Sequence, residues 1–165
     1  MTTPEESQSR LLAYLAKQGV KVRFFESVYA IREEFDYDNS GYEPAPFKRG
    51  LGVRWAEKEI VAIEGMDWPS LVHEAGHILA SKEPPQRSDE YAFLGWEFAL
   101  CQHLGLPLRE WYEQNRDYSL DYWIEGTICY SYVSELTFGS VEWDGLIEDR
   151  IKESSDLGLI PQEWA

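Results

Sequence analysis

Two histidines and a glutamate in one short stretch are the residues of this chain with the clearest capacity for chemistry. The run Leu71-Val-His-Glu-Ala-Gly-His-Ile-Leu-Ala80 sets His73 and His77 four positions apart, with Glu74 directly after the first. On a helix, residues four apart share a face and stand one turn from each other. Two imidazoles so placed can bind one tetrahedral zinc ion at about 2.0–2.1 Å each. Glu74 reaches a water on the metal rather than the metal itself, which is the position of a general base in metal-assisted hydrolysis. Gly76, inside the motif, gives up about 1 kcal/mol of helix propensity against alanine. A residue without a side chain there lets another backbone or a substrate come close. Either histidine alone would read as a satisfied core residue; the pair with the interposed glutamate reads as a metal site.

A catalytic zinc takes three protein ligands and keeps one position open. The segment after the motif offers Glu97, Glu90, His103 and Cys101. Glu97 falls within the apolar stripe Phe93, Trp96, Leu100, Leu104, where a carboxylate is expensive unless paired or bound to metal. If the motif helix ends near Ser81 and an antiparallel helix begins near Asp89, Glu97 stands level with His73. Glu90 would lie about 10 Å lower at 1.5 Å per residue. Glu97 is therefore the expected third ligand and Glu90 the alternative, an acid that also suits a first helical turn without any metal. His103, about 240° around the helix from Glu97, points elsewhere. Cys101 shares the Glu97 face, but a buried inert thiol is the simpler reading.

The elements that must position these residues follow from periodicity and turn chemistry. Residues 4–18 read as an amphipathic helix around Leu11, Leu12, Tyr14, Leu15 and Ala16, stopped by Gly19. Val20 to Phe25 alternates as a strand. Residues 34–50, rich in Asp, Asn, Gly, Pro and aromatics, read as a long loop. Leu51–Trp55 and Ile60–Ile63 read as a hairpin joined by Glu57-Lys58-Glu59. Asp67 and Pro69 suit the start of the motif helix, and Pro84-Pro85 its stop. Ser88 is the expected cap of a second helix running to about His103, and further helices are expected over 107–115, 128–138 and 141–154. The expected fold class is α+β in one domain, a small antiparallel sheet followed by a mostly helical half.

Composition narrows the setting. The chain has 165 residues, with 44% hydrophobic and 15% aromatic, which excludes disordered and fibrous classes. Fifteen basic against thirty acidic residues give a net charge of −15, so nucleic acid and anionic membranes are not expected partners. No apolar run approaches the roughly 18–20 residues of a membrane span. The opening Met-Thr-Thr-Pro-Glu-Glu-Ser has neither the basic nor the apolar region of a secretory signal, and Cys101 and Cys129 read as reduced thiols, so a cytosolic setting is expected.

At His73-Glu74-x-x-His77, with Glu97 twenty residues beyond the second histidine, the sequence resembles the gluzincin group of zincin metallopeptidases. The resemblance implies that His73, His77 and Glu97 bind one zinc ion and that Glu74 activates water for peptide hydrolysis. The metzincin extension is absent, since Ala80 and Glu83 stand where that pattern has Gly and His. Small size and the order hairpin-then-helix also resemble the ImmA/IrrE-like peptidases of bacteria and phages, which cleave regulatory proteins. Glu90-Tyr-Ala-Phe93 is similar to an acidic-aromatic helix of that family. The likeness covers roughly residues 51–104. It implies a Tyr or His donor for the oxyanion, with Tyr91, Tyr130 and Tyr132 as candidates, and acids that orient the imidazoles, drawn from Asp67, Asp89 and Glu90.

The expected activity is therefore a zinc-dependent metallopeptidase acting on a protein or peptide substrate. Two other readings stand beside it. One is a zinc-holding interaction module without catalysis. The other is an acidic decoy that binds a basic partner protein through charge.

Overall fold

The computed structural model describes residues 2–35, 50–85, 90–128, 134, 137–139 and 144–156. The architecture is α+β: among the described residues, seven helices and a three-stranded sheet. The chain divides into two compact units, 1–85 and 86–165.

The first unit opens with α1, Pro4–Lys17. A capping box starts it: the Thr3 N–H donates to Glu6 Oε2 at 2.8 Å, and the Glu6 N–H donates to Thr3 Oγ1 at 3.1 Å. Gly19, at φ +76°, turns the chain out of the helix where the spacing predicted a stop. Strand β1, Lys21–Phe25, follows. Next comes α2, Val28–Glu34, a helix the periodicity did not predict. Its start is chemical: the Ser27 hydroxyl accepts from the Ala30 N–H at 3.2 Å.

The expected hairpin is present as β2, Leu51–Arg54, and β3, Glu59–Ile63, paired antiparallel. The sheet as a whole is mixed rather than antiparallel, because β1 pairs parallel with β3 on its other edge. A parallel pair needs a crossover of a dozen or more residues, and the long stretch between β1 and β2, including α2, supplies it. As central strand, β3 is covered on both faces, with Ile60, Val61 and Ala62 all fully buried. Val61 packs with Ile31 of α2 and with Phe25, Phe35 and Ile63. Glu59 begins β3 instead of ending the turn. It is buried, and the guanidinium groups of Arg54 and Arg23 lie 3.0 and 3.6 Å from its Oε1. That pairing answers the desolvation of the carboxylate.

Helix α3, Trp68–Leu79, carries the histidine motif. Asp67 caps it as predicted, accepting from the Ser70 N–H at 2.9 Å, and Pro69 lies in the first turn. Leu71, Val72 and Ala75 are fully buried. The helix packs on α1, β2 and β3, so sheet and N-terminal helix together fix its orientation.

The second unit contains α4, Leu94–Leu104; α5, Leu108–Asn115; α6, Leu120–Ile128; and α7, Asp144–Asp156. The expected start of α4 at Ser88 is corrected. Residues 90–93 form turns, Phe93 is the residue before the helix, and no side chain caps it. Leu94 through Cys101 are all buried, so the helix has no single apolar stripe from which a start could be counted. Gly95 and Gly126 let α4 and α6 approach closely. A Cβ on Gly95 would lie 2.9 Å from the Thr127 carbonyl oxygen, and one on Gly126 would collide with the Tyr91 carbonyl oxygen. The core adds Trp96, Leu100, Trp111 and Trp123, each worth roughly 1.5–3 kcal/mol or more when buried. Helix α6 was not predicted, whereas α5 and α7 fall near the expected spans. Of the helix expected over 128–138, residues 128, 134, 137 and 138 are described and helical; its other residues and most of the loop expected over 34–50 lie outside the described residues.

Candidate metal centre

Both histidines of the motif fall on α3 with their rings side by side. Ring centroids are 4.9 Å apart, the planes are nearly perpendicular at 88°, and the two Nε2 atoms are 3.2 Å from each other. Two nitrogens held at about 2.0–2.1 Å by one tetrahedral ion are about 3.3–3.4 Å apart. The observed separation therefore fits a shared ion nearly without adjustment. An N–H···N hydrogen bond between complementary tautomers has a similar length, so the rings also have a way to satisfy each other without metal.

Glu74 completes the group. Its carboxylate and the two imidazoles each offer one ligand atom within 4.8 Å of the others, so the three residues could hold a metal ion. His77 and Glu74 are buried, while His73 is partly exposed. The donor set has two neutral nitrogens and one carboxylate oxygen, which suits a borderline divalent ion better than calcium or magnesium.

The other residues singled out by sequence lie in the second unit. Glu97 occupies the first turn of α4 and is fully buried. The counting that set it eight residues into a helix and level with His73 loses its premise, because α4 begins at Leu94. The carboxylate is nonetheless engaged: the Trp111 indole N–H donates to Oε1 at 3.2 Å. Sequence reasoning missed Trp111, which is fourteen residues from Glu97 on a different helix.

Glu90 is exposed in the turn before α4, and its backbone carbonyl accepts from the Tyr118 hydroxyl at 3.2 Å. Cys101 is fully buried. Burial first, and the nearby Glu97 charge second, push its thiol well above the ordinary value, which keeps it protonated and inert. His103 is exposed in the last turn of α4, its ring 5.3 Å from that of Phe138. Tyr91 stacks on Tyr122 at 4.2 Å and 7°. Asp67 serves as the cap of α3. Asp89, Cys129, Tyr130 and Tyr132 lie outside the described residues.

No helix among the described residues is long and apolar enough to cross a membrane. No protein-family model, no curated protein and no solved structure matches the chain.

Proposed function

We propose that the chain is a zinc-dependent peptidase that hydrolyses peptide bonds of a protein substrate. The observation that carries the reading is the approach of His73 and His77 Nε2 to 3.2 Å with the Glu74 carboxylate in the same group. His73 and His77 would hold the ion beside Glu74; Glu97 as third ligand is what the sequence resemblance implies. When bound, zinc supplies Lewis acidity to water and to a substrate carbonyl.

The remaining chemistry belongs to this chain's side chains. Glu74 takes a proton from the attacking water and hands it to the leaving amine. His73 and His77, held by a capped and packed helix, present two fixed nitrogens, so little ordering is left for the moment of metal capture. A glutamate directly after the first histidine is the position of a base acting on metal-bound water, which favours hydrolysis over a zinc-holding interaction module.

Glu74→Gln tests this directly. The variant should keep stoichiometric zinc, measured by elemental analysis, and lose at least roughly a hundredfold in hydrolysis of casein or a mixed peptide library. Full activity in that variant would overturn the mechanism. Zinc binding without hydrolysis in the unsubstituted protein would favour the interaction module.

A further inference from the structure

Helix α6 has an outer face that its core does not use. Trp123, Gly126 and Thr127 are buried on its inner side, whereas Asp121, Tyr122, Ile124 and Glu125 are exposed. Tyr122, 44% exposed, and Ile124, 39% exposed, are two of the three large hydrophobic side chains that stand out to solvent among the described residues. The Tyr122 ring is nonetheless held in place. It stacks on Tyr91 with centroids 4.2 Å apart and planes 7° from parallel, and it meets Tyr118 at 6.4 Å and 71°. Gly126 lets the Tyr91 backbone come against α6, and the Tyr118 hydroxyl ties down the Glu90 carbonyl at 3.2 Å. Three phenol rings thus form a corner, two of them parallel and one across them.

The charge on this face has one sign. Asp121 and Glu125 stand one turn apart with Tyr122 next to both, and exposed Asp117 just precedes the helix. Helix α6 contains no lysine or arginine, and among the described residues no cation pairs with Asp121 or Glu125. A tyrosine ring attracts a cation within about 6 Å of its centroid, and arginine, whose guanidinium is planar and weakly hydrated, stacks on such rings best. A second copy of this chain is a poor match, because a twofold contact here would set these acids against their own kind on a chain of net charge −15.

We propose that the Tyr118–Tyr122 corner of α6 is a docking surface for a basic segment of a partner protein, with an arginine side chain on the rings and Asp121 and Glu125 answering its charge. The surface lies wholly within the second unit and works with or without metal at the histidine group, so it stands apart from the proposed hydrolysis.

The probe is a capped, dye-labelled peptide of alternating glycine and arginine. It is titrated with the full chain and read by fluorescence anisotropy in about 0.15 M sodium chloride, where screening over about 8 Å removes most of the distant field. The same peptide with citrulline for arginine keeps the shape, loses the charge, and should bind at least roughly tenfold more weakly. Tyr122→Leu, which keeps apolar area but removes the ring, should weaken arginine-peptide binding roughly 2–10-fold. Asp121→Asn combined with Glu125→Gln should weaken it by a similar factor. Glu5→Gln combined with Glu33→Gln, an equal change of charge at exposed sites of the first unit, should bind as the unsubstituted protein does. Thermal melting shows that each variant is folded. Absence of binding to the arginine peptide, equal binding of the citrulline peptide, or unchanged binding in either α6 variant would overturn the proposal. An equal loss in the Glu5 and Glu33 variant would assign the attraction to overall charge and overturn it too. So would a dimer of the unsubstituted chain, seen in sedimentation, that Tyr122→Ala breaks apart, since the face would then belong to a second copy.

Discussion

Burial makes Tyr112 a harder acid to ionise than an ordinary tyrosine. Desolvation comes first among the causes, and the hydrogen bond it donates to the Glu153 carboxylate comes second; together they push it from 10.0 up to about 12. The native state therefore keeps a proton that the unfolded chain releases. The stability this contributes is fully present below pH 10 and is lost as pH rises toward 12. Cys101 acts with the same sign, since its thiol is also raised, from 9.0. Denaturant midpoints measured across this alkaline range should fall steeply for the unsubstituted protein. Tyr112→Phe should be less stable at neutral pH and show a flatter decline. An identical slope in both proteins would remove Tyr112 as the cause.

At the scale of elements, the close crossing of α4 and α6 sets a strict size limit. Gly126→Ala inserts a methyl group against the Tyr91 carbonyl, and backbone cannot step aside as a flexible side chain would. The variant should lose about 1–3 kcal/mol, read as a lowered urea midpoint, with the histidine group of the other unit still able to take up metal. How much of these elements could be read from sequence depended on how local their causes are. The motif on α3 was legible because cap, first-turn proline and ligand spacing all lie within a dozen residues. The hairpin was legible for the same reason. Helix α2 was not, since seven residues are too few for periodicity to speak, although Ser27 carried a capping signal. The start of α4 was misplaced because its first eight residues are buried all round and Ser88 offered a competing cap. Trp111 as the partner of Glu97 was invisible, because only the packing of α5 against α4 brings them together. The parallel docking of β1 was equally hidden, being a pairing between distant segments.

The whole molecule carries twice as many acidic as basic side chains, for a net charge of −15. Some of these acids are locally answered, as Glu113 is by Arg116 at 2.7 Å and Arg109 at 2.9 Å, which lowers its carboxyl below the usual range. Such exposed pairs add little each. The unanswered excess repels itself in the compact state, and salt screens that repulsion. The melting temperature of the metal-free protein should therefore rise between roughly 0.01 and 0.15 M sodium chloride, as the screening length shrinks from about 30 to 8 Å. A flat or falling dependence would mean that favourable ion pairs outweigh the excess. The same charge separates two readings of function: hydrolysis at the histidine group tolerates charge reversal on distant surface acids, whereas an acidic decoy does not.

The two edges of the three-stranded sheet are not equivalent in time. Arg54 faces Glu59 only five residues away, whereas Lys21 faces the same residue from thirty-eight positions earlier. Closing the longer span is entropically dearer by roughly 2 kcal/mol. The ribbon of β2 and β3 can thus zip within microseconds of collapse, while β1 must search for a template that already exists. A chain leaving the ribosome holds its N-terminal helix and first strand in waiting until residue 63 has emerged. The scaffold under the histidine helix is completed by its earliest segment, last.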